Sequence, residues 1–182
     1  MSATSPGPTR AVQIPPAGHY RLDPDLSTIT FRTRHMFGLG AVNGSFALRG
    51  GEISVLDPPT ESTAQAEIAA DSFTTGNATR DRTVRSAKYL DTANHPLIRF
   101  TSQDAATADG AWTLTGVLDV RGTQRPVRLA IEQCELTGGR LTASATTRID
   151  RTEFGITAQP GMTGRYLDLT LDLTSHGPGE TG

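Results

Sequence analysis

A chain of 182 residues, 36% hydrophobic and 20% charged, is long enough for one domain with a sizeable core or an enclosed cavity. Its formal net charge of −2 and pI near 6.1 exclude a nucleic-acid or anionic-membrane partner held by bulk charge. A single cysteine, Cys134, excludes an internal disulfide framework.

The first sixteen residues are rich in Pro, Ser, Thr and Gly and are expected to form a flexible lead-in. They contain no apolar h-region, and no stretch reaches membrane-span length, so the expectation is a cytoplasmic protein without an integral membrane segment. From Leu26 to Met36 the alternation places Ile29, Phe31, Thr33 and His35 on one face, with Arg32 and Arg34 on the other. Val42, Gly44, Phe46 and Leu48 alternate next, and after Gly50-Gly51 the apolar phase slips to Ile53 and Val55, the signature of a β-bulge. Asp57-Pro58-Pro59 turns the chain, and Ala64, Ala66, Ile68 and Ala70 form a strand face of small residues.

The window 77–103 differs from everything around it. Asn77 is a candidate N-cap, Asp81 and Arg85 share a helical face, and Val84, Ala87 and Tyr89-Leu90 supply a modest apolar side. The helical pattern breaks at Asn94-His95-Pro96, and Leu97 to Ser102 resumes the period of a strand. Trp112, Leu114, Gly116, Leu118 and Val120 then share a phase, followed by Val127, Leu129 and Ile131, by Leu141 to Ile149, and by Leu167, Leu169, Leu171 and Leu173. Residues 176–182 are expected to be a flexible tail, leaving 17–175 as the domain.

Short strands with one apolar face, joined by tight Gly-rich turns, argue for an antiparallel sandwich or barrel, and up-and-down connectivity favours a closed barrel. The inward faces carry many Ala, Thr and Gly, and the chain has only ten aromatics. A large barrel built this way underfills its interior, which is then unstable or occupied.

Four motifs occur in order: Leu22-Asp23-Pro24-Asp25-Leu26-Ser27 with Phe31, Arg34-His35-Met36 and Gly44-Ser45-Phe46; Arg80-Asp81, Arg85-Ser86, Tyr89, Asp91 and Pro96 leading into Ile98-Arg99-Phe100-Thr101-Ser102; Leu114-Thr115-Gly116-Val117-Leu118 with Gly122 to Val127; and Ile149 to Ile156. On these the chain, from about Gly18 to Thr174, resembles the YceI family of lipocalin-like polyisoprenoid-binding barrels. It departs from the family pattern where Leu26 and Thr83 stand in place of histidines; His35 remains. The resemblance implies an elongated, eight-stranded antiparallel β-barrel with one short helical excursion. It also implies a polyisoprenoid, quinone precursor or similar lipid in the lumen, with no other cofactor, and it suggests a homodimer.

Such a lumen needs apolar walls, for which Phe31, Phe46, Ile68, Ile98, Phe100, Trp112, Leu114 and Leu169 are the candidates; each can equally be plain core. A polar end would use His35, Arg80, Arg85 and Arg151, with Phe154 packed over it. The arginines either contact a head group through their planar donors or pin the helix and the corner to the barrel. No nucleophile elbow, phosphate loop or metal-ligand spacing appears, so a binding protein rather than an enzyme is expected. Two other readings remain open: a barrel enzyme with His35 as general base, which requires a carboxylate or hydroxyl within reach of the ring, and a solid-packed interaction module.

Overall fold

Alternating apolar and polar residues become nine strands in the computed structural model, which describes residues 12–178. They are β1 (Gly18–Leu22), β2 (Thr28–His35), β3 (Gly40–Val55), β4 (Thr63–Thr74), β5 (Leu97–Ala108), β6 (Ala111–Val120), β7 (Thr123–Thr137), β8 (Arg140–Asp150) and β9 (Tyr166–His176). One α-helix, α1 (Ala78–Arg85), lies between β4 and β5. All strand pairings are antiparallel, and the order β3-β2-β9-β8-β7-β6-β5-β4 closes through β4–β3 into an eight-stranded barrel. Closure leaves no long unpaired edge.

The ninth strand is the one the alternation did not reveal. β1 lies in line with β2, pairing with the far half of β3 (Gly18↔Val55) and the end of β9 (Arg21↔His176), so the two strands share one barrel position. The break between them is an Asx turn: Asp23 Oδ1 accepts from the backbone N–H of Asp25 (2.9 Å) and Leu26 (3.2 Å). Leu26 therefore sits exposed in a turn, and the strand expected from Leu26 starts at Thr28. Buried Ser27 spans the gap by bonding both the N–H and the carbonyl of Thr174.

The bulge read at Gly50-Gly51 is present, with Leu48 opposite Ile68 and Gly50 opposite Glu67, leaving Arg49 unpaired. A larger irregularity lies on β4, where Ala47 faces Ala69 but Ser45 faces Thr74. Ser72 patches it, accepting from Ala47 N (2.7 Å) and donating to the Ala69 carbonyl. The inward phase consequently moves from Ala70 to Phe73, both buried. Phe73 stacks on Phe31 (centroids 5.3 Å) and meets Phe46 edge-on (5.5 Å). Glycine permits this cluster: a Cβ at Gly44 would collide with the Phe31 ring and the Thr74 carbonyl.

α1 begins as expected, with Asn77 Oδ1 accepting from Arg80 N at 2.9 Å. It ends at Ser86, whose N–H and hydroxyl both bond the Thr83 carbonyl, so the helix is only eight residues long. Tyr89 and Leu90 belong to the turn behind it, and both are buried. At the termini, residues 1–11 and 179–182 lie outside the described residues. The lead-in expected to run to residue 16 touches the barrel from Val12, which bridges to Cys134, and Gln13 N bonds the Cys134 carbonyl at 2.8 Å. At the other terminus His176, expected in the tail, is the last residue of β9.

The topology makes two unlike ends. At the helical end lie the β2–β3 turn (36–39), the α1 excursion (75–96), the β6–β7 turn (121–122) and the β8–β9 connection (151–165). At the hairpin end lie the β3–β4 connection (56–62), the two-residue turns 109–110 and 138–139, and the segment from Val12.

Candidate functional site

The inward faces of the strands do not fill the barrel. A central cavity of about 220 Å³ is walled by side chains from all eight barrel strands, and no polar atom faces it. It is far larger than the ~30 Å³ that one water takes in the liquid. A second cavity of about 290 Å³ lies at the helical end and shares Phe46, Leu90, Arg151, Ile156 and Leu167 with the central one. A third, about 150 Å³, lies at the hairpin end and shares Ile53, Ala64, Leu114 and Ile131. Together they mark a lumen along the barrel axis, which is not the interior of a solid-packed module.

Six of the eight wall residues named from the alternation, Phe46, Ile68, Ile98, Phe100, Leu114 and Leu169, border the central cavity. Phe31 borders the helical-end cavity, and Trp112 the hairpin-end cavity. The residues expected at a polar end divide more sharply. His35, Arg80 and Arg151 border the helical-end cavity, while Phe154 is buried against the central one. Arg85 borders neither the central nor the helical-end cavity: its Nε and Nη2 donate to the Phe73 carbonyl, tying α1 to β4.

Arg151 is a structural cation. Its guanidinium donates to the carbonyls of Gly164, Ile156 and Ala158, each at 2.8 Å, and of Thr163 at 3.2 Å. One buried side chain thus holds the 151–165 connection in shape, and it lies over the Tyr89 ring at 5.9 Å. Burial lowers its pKa from the ordinary arginine value, with Tyr89 and Asp150 acting in the opposite sense. Asp81 does the same work for the helix. It accepts from Thr75 N (2.9 Å), Thr75 Oγ1 (2.6 Å) and Thr74 Oγ1 (3.1 Å). Burial alone would push the Asp81 carboxyl up, but these hydrogen bonds and the Arg85 charge hold it below the usual carboxylate range.

Arg80 and His35 are the polar-end candidates with the fewest protein partners. Arg80 makes one weak bond, from Nη1 to Thr75 Oγ1 at 3.4 Å, and no Asp or Glu borders its cavity. The His35 ring lies against Gly40 and makes no hydrogen bond or ion pair with a described residue, so the partner that a general base requires is not in place. Thr83, one of the two positions where the family pattern expects histidine, shares this cavity with His35; Leu26, the other, is exposed in the Asx turn and borders none of the three cavities. No group of three His, Cys, Asp or Glu among the described residues is placed to hold a metal.

Several residues of this end escaped the alternation. Phe73 lies behind an irregularity, in a phase that Ala70 does not share. Tyr89 Oη bonds Thr163 Oγ1 (2.8 Å) and Gln159 Oε1 (3.4 Å), locking the excursion behind α1 to the 151–165 connection. Arg121 Nη1 adds a bond to the Tyr89 carbonyl at 3.0 Å. Nothing in local spacing links residues 70 or more positions apart; only the polar Asp71-Ser72 pair before Phe73 signals the phase change.

Comparison with known proteins agrees with this geometry. The YceI-like domain profile matches residues 20–175. A UPF0312 protein of Pectobacterium atrosepticum is 28% identical over 163 residues, covering 85% of this chain and 84% of that protein. One from Pseudomonas putida is 28% identical over 166 residues, covering 86% and 85%. Among solved structures, Burkholderia cenocepacia BcnA superposes with a TM-score of 0.73 at 18% identity, covering 84% of this chain and 98% of that one. A domain from Saccharophagus degradans, described as polyisoprenoid binding and implicated in plant cell wall breakdown, gives 0.67 at 18% identity, covering 89% and 99%. These structural likenesses speak for the fold, and the profile match over most of the sequence speaks for descent: the chain belongs to the YceI-like domain family.

Proposed function

We propose that the protein binds a long apolar ligand, a polyisoprenoid, isoprenoid quinone precursor or similar amphiphilic lipid, in the barrel lumen for transport, storage or sequestration. The observation that carries the reading is the central cavity, enclosed by strands on all sides and faced by apolar atoms alone. Burial of a hydrocarbon chain there is worth about 0.8 kcal/mol per CH₂. A few isoprene units therefore offset an association cost on the order of 4–15 kcal/mol. The lumen also has a direction. Its helical end offers Arg80 and His35 without a carboxylate, which suits a polar or anionic head group, while the chain extends toward Trp112. The described neighbour that binds a polyisoprenoid is consistent with this chemistry.

Native mass spectrometry of the purified protein, followed by organic extraction, tests the reading. A stoichiometric adduct with the mass of a prenyl or other long-chain lipid is expected, or uptake of added polyprenol by protein isolated without ligand. The Leu114→Trp variant fills the wall between the central and hairpin-end cavities and is expected to keep the fold while losing long-chain uptake. A protein that is isolated bare and takes up neither polyprenols nor quinones would refute the proposal.

A further inference from the structure

The β2–β3 turn carries the most exposed apolar side chains among the described residues. Leu39 is 87% and Phe37 79% exposed, with Met36 at 43%. Met162, 49% exposed, joins them from the 151–165 connection, because Met36 N and Phe37 N donate to the carbonyls of Met162 (3.2 Å) and Gly161 (2.6 Å). The patch stands directly beside the lumen: His35, one residue before the turn, and Met162 both border the helical-end cavity.

Its backbone makes the choice of side chain informative. Met36 and Phe37 sit at φ 50° and 55°, in the left-handed region where glycine or asparagine is the comfortable residue. Two bulky apolar residues in strained positions, with the Phe37 ring resting on Gly161 but mostly in water, add nothing to the core. That combination marks a place where the side chains themselves are needed.

Charge says what they meet. Around the helical-end connections, leaving aside the buried Arg151 and Asp81, stand six basic residues (Arg80, Arg82, Arg85, Lys88, Arg121, Arg165) against Asp91, Glu153 and the Asp150 that pairs with Arg165 at 2.8 Å, a net charge of +3. The hairpin-end connections contain three acidic residues, Asp57, Glu61 and Asp109, and no basic one. The overall charge of −2 conceals this polarity. The hairpin end also exposes apolar side chains, Ile14 and Leu56, but its connections between strands carry only acidic charge. An exposed apolar tip set among cations at one end of the lumen matches an anionic lipid surface.

We propose that the helical end docks on anionic phospholipid bilayers, with Phe37 and Leu39 inserted at the headgroup boundary and the basic connections facing the lipid charge, so that the lumen opens toward the membrane. The role of the opening rests on the lipid-carrier reading; the docking itself does not.

Co-sedimentation with vesicles tests it, using pure phosphatidylcholine and phosphatidylcholine mixed with phosphatidylglycerol. Wild type is expected to sediment with the mixed vesicles, to ignore the neutral ones and to dissociate as salt is raised. The Phe37→Asn, Leu39→Ser double variant is expected to lose about tenfold or more in vesicle affinity, since both apolar side chains are removed. It should fold at least as stably, because asparagine tolerates the backbone at position 37. Leu56→Ser, at the opposite end, is expected to bind as wild type does. Failure of wild type to bind mixed vesicles, equal binding to neutral ones, or full binding by the double variant each overturns the proposal. Uptake of detergent-dispersed polyprenol should be unchanged in the double variant. A wild type that takes up polyprenol but ignores vesicles refutes docking alone, whereas one that binds vesicles but takes up no lipid refutes the carrier reading alone.

Discussion

At the hairpin end, two two-residue turns, the 56–62 connection and a strip of chain from Val12 to Pro15 surround a small apolar cavity beside Trp112, Cys134 and Leu141. At the helical end two of the four connections, 75–96 and 151–165, are long, and polar side chains hold them: Asp81 gathers three hydrogen bonds, Arg151 donates four, and Tyr89 joins the excursion to the loop. Short turns are set by local backbone chemistry and need little more. Long connections lose more conformational freedom on ordering, and a buried, fully bonded charge specifies one arrangement among many. With Arg151 committed to the loop, Arg80 and His35 are the basic side chains left bordering the helical-end cavity, and the end that is harder to build is the one to which the proposed function assigns the head group.

The largest expected effect breaks the helical end at its centre. Arg151→Ala removes four hydrogen bonds from buried carbonyls and is expected to destabilise the fold by about 3–5 kcal/mol in urea unfolding. Arg151→Lys keeps the charge but not the planar fork and should lose most of that stability. If Lys restores it, charge rather than geometry holds the connection. Asp81→Asn comes next, at about 1–3 kcal/mol, since the acceptor of three hydrogen bonds is weakened.

Acid should test the helical end as well. Asp81 is held below its ordinary pKa by the balance already described; for Asp150 the cause is first the hydrogen bond from Arg165, then those from Thr152, with burial opposing. A carboxylate depressed in the folded state contributes stability that is fully present above its unfolded value of about 3.9 and is lost as pH falls through the folded value. Stability against urea is therefore expected to drop below about pH 4, and an Asp81→Asn, Asp150→Asn double variant should show a flatter profile there. An unchanged profile would mean that other carboxylates govern acid unfolding.

The smallest effect belongs to the hairpin end. Gln13→Pro deletes the N–H that bonds the Cys134 carbonyl and is expected to cost about 1 kcal/mol. Burial pushes the Cys134 thiol up and shields it, so the variant should show faster alkylation of that sulfur with little change in overall stability. Slow alkylation in the variant would show that the strip from Val12 is not the cover of this end.

Particular residues show what was legible beforehand. The two-residue period put Phe46, Ile68, Ile98, Phe100, Leu114 and Leu169 on inward faces, and the N-cap at Asn77 and the bulge at Gly50 are local signals that the fold retains. β1 escaped because five residues interrupted by an Asx turn carry too little period to read. Phe73 escaped because an irregularity on β4 reversed its phase. Arg85 and Arg151 were legible as important but not as to purpose: whether an arginine meets a ligand or a carbonyl depends on which backbone lies opposite.

By itself the sequence determined what is periodic or local, namely strand faces, tight turns, the helix start and the small side chains that underfill an interior, because each depends on neighbours within a few positions. Only the tertiary structure decided the rest. Closure of β3 on β4 made a lumen of those faces, and Arg151, Asp81 and Tyr89 were committed to holding one end. Arg121 and Arg165 were brought to the same end as the basic window 80–88. Those outcomes depend on contacts between residues far apart in the chain, and they are set by the path of the backbone, not by local spacing.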